Sequence, residues 1–179
     1  MQAWTAVIIG ALAMAMAPAP QPAIDANPIS QALKEAWDNA KGDVQASANQ
    51  MPDADFAFKP VEQVRTFGQI LAHIAGVNYI FCSAAKGEKN AFSEDHFEKS
   101  ATTKAAIVKA LNDSIAYCDA AYAGLTDAKA AETVPKAFGM GNVPRASALM
   151  GNTGHLQEHY GNLVTYFRVK GMVPPSSRR

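Results

Sequence analysis

Thr66-Phe67-Gly68-Gln69-Ile70-Leu71-Ala72-His73-Ile74-Ala75-Gly76-Val77 opens as a helix start and continues as an apolar stripe. Thr66, followed three residues later by Gln69, is a capping box in which each side chain serves the other's backbone N–H. Phe67, Ile70, Leu71, Ile74, Val77 and Phe81 then recur at helical spacing, and Gly87 ends the run. One position on that stripe is out of character. His73 shares a face with Ile70, Val77 and Ile80, where a buried imidazole needs partners for its ring nitrogens. Taken alone, it reads as a satisfied core histidine.

Three further helices are expected on either side of this one. Asn27-Pro28 reads as an N-cap followed by proline at the first helical position, and Ile29, Leu33 and Trp37, with Ala36 and Ala40, keep helical spacing to about Ala48. Met51-Pro52-Asp53 stops that helix, and residues 53–64, with their Phe56/Phe58 alternation, read as an extended connection. The third helix is expected from about Thr102 to Ala123, with Ile107, Leu111, Ile115, Tyr117 and Tyr122 on or near its buried side and Gly124 as the stop. Residues 126–143 hold Pro135 and Phe138-Gly139-Met140-Gly141-Asn142, which predicts a mobile loop. The last helix is expected from near Pro144 to Gly171, ahead of Pro174-Pro175. No strand signal competes, so the fold class is all-α: a four-helix bundle with long connections over residues 28–176.

A chain of 179 residues, 49% of them hydrophobic, suits one domain with a real core. Sixteen basic and sixteen acidic residues cancel, and there is no basic cluster to hold a polyphosphate backbone, so nucleic acid is excluded as a partner. The run from Ala6 to Ala17 is apolar and unbroken but too short to span a bilayer, which takes about 20 apolar residues. No stable membrane span is expected. Residues 1–23 read instead as a signal peptide and Pro-rich leader, with Ala15-Met16-Ala17 at a cleavage site and later cuts near Ala19 or Ala23 equally open. Export to a periplasmic or other extracytoplasmic space follows. If the run is a buried N-terminal helix, the chain stays cytoplasmic. Cys82 and Cys118 each fall late in a helix, so a disulfide between them requires those helices to run parallel; two small buried hydrophobes is the other option.

The chemistry sits on three of the four histidines. His155 and His159 are four apart, one turn above the other with Cβ atoms about 5–6 Å apart, so both rings can reach one metal ion at about 2.0–2.1 Å. The same face carries Asn152, Leu163 and Tyr166, which points the pair inward. His155-Leu156-Gln157-Glu158-His159 also matches the inverted zinc-protease motif H-x-x-E-H. Such proteases take an acidic third ligand from downstream, and residues 160–179 contain no Asp, Glu or His. The third ligand must therefore come from upstream, and His73 is the natural donor. Glu158 lies about a quarter-turn from His159 and could orient a ligand or act as a base. His96, in Glu94-Asp95-His96, reads as a solvated loop residue.

Residues 65–75, Arg65-Thr66-Phe67-Gly68-Gln69-Ile70-Leu71-Ala72-His73-Ile74-Ala75, resemble the first signature of the DinB-like family of four-helix metalloproteins. The run from His155 to Arg168 resembles the second, and Gly171-Met172-Val173-Pro174-Pro175-Ser176 resembles the family's ending. The resemblance covers about residues 28–176. It implies a bundle whose second helix supplies one metal ligand and whose fourth supplies two, matching His73, His155 and His159. It also implies a homodimer and, by analogy with characterised members, thiol-dependent transfer or isomerisation with bacillithiol, mycothiol or glutathione. The family name refers to induction by DNA damage, which describes expression and not chemistry. The leader departs from the family pattern, since low-molecular-weight thiols belong mainly to reducing compartments.

Three neutral imidazoles without a fourth protein ligand suit one divalent ion, zinc or nickel, with a position open to water or substrate. The expected function is a metal-dependent enzyme that activates a thiol or water against a small electrophile, with residues 138–142 as a lid. The alternatives are a non-catalytic metal-binding or stress-related protein, and a metal-free bundle with a histidine cluster.

Overall fold

The computed structural model describes residues 26–178; the leader expected over residues 1–23 lies outside the described residues. In chain order the elements are α1 (Pro28–Gln50), a 3-10 turn (Asp53–Asp55), α2 (Phe67–Lys86), α3 (His96–Ser100), α4 (Lys104–Tyr122), α5 (Asp127–Ala131), β1 (Thr133–Pro135), β2 (Asn142–Pro144), α6 (Arg145–Val169) and a closing 3-10 turn (Pro175–Arg178). Helices α1, α2, α4 and α6 form the expected bundle. Its core includes Trp37, Phe67, Leu71, Ile74, Leu111, Leu149 and Phe167.

Helix α2 is the central one. Thr66 Oγ1 accepts from Gln69 N at 3.2 Å and Gln69 Oε1 accepts from Thr66 N at 2.8 Å, completing the capping box. Gly87 closes the other end in the left-handed conformation, φ 71°. Among the described residues, α2 alone is long and apolar enough to cross a membrane, and 83% of that window is buried inside the bundle. It therefore behaves as a core helix.

Side-chain pairs fix the helix directions. Asn78 Nδ2 donates to Ser114 Oγ at 3.0 Å, and Cys82 is bonded to Cys118. Both pairs are offset by 36 residues, so α2 and α4 run parallel, meeting the condition that the disulfide requires. Helix α6 runs antiparallel to α2: Phe67 meets Phe167 at 5.5 Å, while Arg145 Nη1, at the other end, donates to Ala85 O. Helix α1 runs antiparallel to α4, with Trp37 stacked on Tyr122 at 4.9 Å and Gln45 hydrogen-bonded to Asn112.

Parallel neighbours oblige residues 87–103 to travel back along α2. Phe92 and Phe97 hold this crossover by packing on Tyr79, at 4.8 Å and 5.8 Å between ring centroids. The crossover lies so close to α2 that a Cβ on Gly76 would stand 2.3 Å from Glu94 O. His96 is exposed as expected, but it begins the short helix α3 and packs on Phe92 at 4.8 Å.

Two expectations are corrected. Residues 133–144 form an antiparallel hairpin, with Val134 opposite Val143. Three-residue strands are too short to show periodicity, and Gly139 and Gly141, at φ 94° and 95°, turn the chain where other residues would be strained. The connection after α1 is not simply extended, since it contains the 3-10 turn. Asn27 takes the N-cap position of α1 with Pro28 following, as expected, though its side chain makes no capping hydrogen bond. The α1 N-terminus is instead served by Asp127, which accepts from Ser30 N and Ser30 Oγ at 2.8 Å each, while Asn27 Oδ1 accepts from Asp127 N.

Gly76→Ala is expected to lower stability by about 1–3 kcal/mol, because the obstructing atom is backbone. Gly42→Ala, in α1 with nothing within 4 Å of the added carbon, is expected to raise it by about 0.5–1 kcal/mol. Urea denaturation of both variants checks the pair of opposite signs.

Candidate metal centre

Two helices bring the three predicted ligands together. His73 lies in the second turn of α2, and His155 and His159 stand one turn apart on α6, which runs antiparallel to α2 at that level. One ligating atom from each residue lies within 4.8 Å of the others. Ring centroids are 5.1 Å apart for His73–His155, 4.9 Å for His73–His159 and 4.4 Å for His155–His159. His73 and His159 are buried, at 7% and 8% exposure, and His155 is half-buried.

The partners of each ring show how the donors face. His73 Nδ1 lies 3.2 Å from Glu98 Oε1, and neither atom has another hydrogen-bond partner. A carboxylate at that position favours a proton on Nδ1 and leaves the lone pair on Nε2. His73 Nε2 in turn lies 3.2 Å from His155 Nε2. Two lone pairs at that distance repel unless a proton or a cation stands between them. Two nitrogens bound to one tetrahedral ion at about 2.0–2.1 Å sit about 3.3 Å apart, so the observed spacing fits a shared ion. His159 Nδ1 lies 3.2 Å from the Asn162 amide. With the amide turned to accept, it would hold a proton on Nδ1 and leave Nε2 as the donor.

Burial keeps the rings neutral, the form that binds metal. Desolvation, with neighbouring His159 and His73, pulls the His155 pKa down to about 3. Desolvation and His73 bring His159 down to about 4. His73 is lowered mainly by burial and by the Arg65 guanidinium, with Glu98 opposing.

Glu98 and Arg65 are the residues that spacing alone did not single out. Glu98 comes from α3 on the crossover, its side chain only 13% exposed, and its Oε2 accepts from Arg65 Nε at 3.1 Å. Arg65 O accepts from the Tyr166 hydroxyl of α6. A continuous set of contacts thus joins His73, Glu98, Arg65 and Tyr166. Glu158 is exposed and takes part in no hydrogen bond or ion pair among the described residues; it touches the site only by raising the His159 pKa through space. The hairpin tip reaches the other side, where Phe138 packs on Phe81 at 5.3 Å and Phe81 on His155 at 6.3 Å.

The depressed histidine pKa values set a sign for pH dependence. In the unfolded chain these rings protonate near 6.5, while folded His155 and His159 resist protonation down to about 3 and about 4. The unfolded state therefore binds more protons as pH falls below 6.5, and the native state loses stability across that window before levelling off below about 3. Metal-free protein is expected to show a lower urea midpoint at pH 5 than at pH 7.5. An unchanged midpoint would contradict neutral burial of the rings.

No protein of curated function matches the sequence. Among solved structures, a DinB-like protein from Bacillus cereus ATCC 10987 superposes with a TM-score of 0.66 at 17% identity, over 81% of this chain and 95% of that one. A conserved protein from Enterococcus faecalis gives 0.60 at 15% identity, over 78% and 95%. The mycothiol-dependent maleylpyruvate isomerase gives 0.58 at 18% identity, over 76% of this chain and only 60% of its own. At such identities these likenesses establish the fold. The sequence itself goes further: the family model of the DinB superfamily matches residues 36–163, more than half of the chain, and to that superfamily this chain belongs.

Proposed function

We propose that the chain binds one divalent ion, zinc or nickel, through His73, His155 and His159, and uses it to activate water or a thiol against a small electrophilic substrate. The observation that carries this is the convergence of three neutral imidazoles from two helices within 4.8 Å. Such an ion supplies Lewis acidity, polarising a substrate oxygen or making a nucleophile available at neutral pH. The chain's own residues do the rest. Glu98 orients His73, Asn162 orients His159, and Phe81 with Phe138 gives the His155 side an apolar wall.

Between the two nucleophiles, the Cys82–Cys118 disulfide favours water. Disulfides persist in oxidising compartments, where low-molecular-weight thiols are scarce as reductants. The same bond supports the export expected from residues 6–17. The thiol-dependent isomerase among the similar structures supports the other choice. The homodimer implied by the family is also part of the proposal, supported by the exposed apolar residues Ile29 and Met150 that line one groove between α1 and α6.

Tag-free protein is expected to carry about one equivalent of metal, and His159→Ala to lose both metal and turnover of small esters or thiol acceptors while staying helical by circular dichroism. Wild-type turnover in His159→Ala would sink the proposal. Glu98→Gln is expected to retain the fold and weaken metal affinity about 10–100-fold in a chelator competition.

A further inference from the structure

We infer that the substrate carries a small oxyanion, a carboxylate or phosphate group, which Arg65 receives in an open cavity beside His159. This rests on the metal-centred function above and names the class of molecule that it would act on. The cavity, of about 510 Å³, is walled by Gln63, Val64, Arg65 and Ile70 on one side and by His159, Asn162 and Tyr166 on the other. That is the size of an ordinary small-molecule site. His159 is the predicted ligand that faces it, so a molecule held there lies against the candidate metal centre.

The charge of the wall is one-sided. Its single ionised residue is Arg65, and no carboxylate lines it. Glu98 lines a separate cavity of about 420 Å³, whose wall does not include Arg65. The pair engages the guanidinium through Nε only, and Nη1 and Nη2 have no partner among the described residues. A guanidinium held at one edge offers two parallel donors at the other, the geometry that matches a carboxylate or phosphate. Its position is held twice, since Glu98 anchors the head group and the Tyr166 hydroxyl donates to the Arg65 carbonyl oxygen. Preorganisation of that kind lowers the entropy lost on binding. The Gln63 and Asn162 amides add neutral donors, while Val64 and Ile70 give an apolar side for the remainder of the molecule.

The test is calorimetric titration of zinc-loaded full-length protein with propionate, with its uncharged isostere propionamide, and with inorganic phosphate. Propionate or phosphate is expected to bind at least about tenfold more tightly than propionamide; which of the two saturates identifies the oxyanion. Arg65→Gln and Val64→Glu should each weaken oxyanion binding about tenfold or more and leave propionamide unaffected. Val64→Glu places a negative charge in the same cavity without disturbing Glu98 or His73, so it decides the matter if Arg65→Gln loses zinc. Propionamide binding as tightly as both anions, or full anion affinity in zinc-replete Val64→Glu, would overturn the inference. Zinc content measured before titration separates this outcome from failure of the metal site itself, and the metal-free protein then reports on Arg65 alone.

Discussion

A histidine buried within the most apolar helix needs an answer for both of its ring nitrogens, and much of this molecule is arranged to supply one. On the Nδ1 side the answer is Glu98 at 3.2 Å; on the Nε2 side it is His155 at the same distance. The first depends on the crossover lying against α2, which Gly76 permits and the rings of Phe92 and Phe97 enforce. The second depends on α6 running antiparallel to α2, in the register fixed by Phe67 with Phe167 and by Arg145 with Ala85. Unsatisfied, a buried polar group of this kind costs about 1–3 kcal/mol. The parallel disposition of α2 and α4 is what makes a long crossover necessary, so the bundle topology and the Glu98 partner of His73 are one fact.

Much of this was legible in the one-dimensional pattern, and what was not has physical reasons. The Thr66/Gln69 capping box and the Gly87 stop are local signals, and they mark the ends of α2 as found. The i, i+4 pair His155/His159 is also local, since helical geometry alone places its rings together. His73 was reachable by elimination and by its odd place on an apolar stripe. Glu98 was not. It reaches His73 through a crossover whose course is set by tertiary packing, and no spacing along the chain encodes that proximity. Glu158 shows the converse: adjacent to His159 in sequence, it is turned outward by about 100° of helix and stands exposed. The hairpin escaped because three-residue strands have no period to read. The disulfide could be stated only as a condition, because cysteines do not announce which way their helices run.

The site is asymmetric in a way that bears on its chemistry. Phe81, with Phe138 packed on it, lies against the His155 side, whereas a cavity with Arg65 in its wall lies beside His159. One end is thus apolar, the other polar and cationic. A small molecule entering beside His159 would meet the guanidinium and the imidazoles together. The Cys82–Cys118 bond, on the α2–α4 seam, stiffens the helix that carries His73 without taking part in the site.

Whether the three imidazoles share one ion is decided by a crystal structure of tag-free protein with anomalous data collected at the zinc and nickel absorption edges. A single anomalous peak per chain is expected about 2.0–2.1 Å from one nitrogen each of His73, His155 and His159. A protein supplied with both ions whose map shows no peak among these three rings, or places the metal on other residues, would contradict a shared ion.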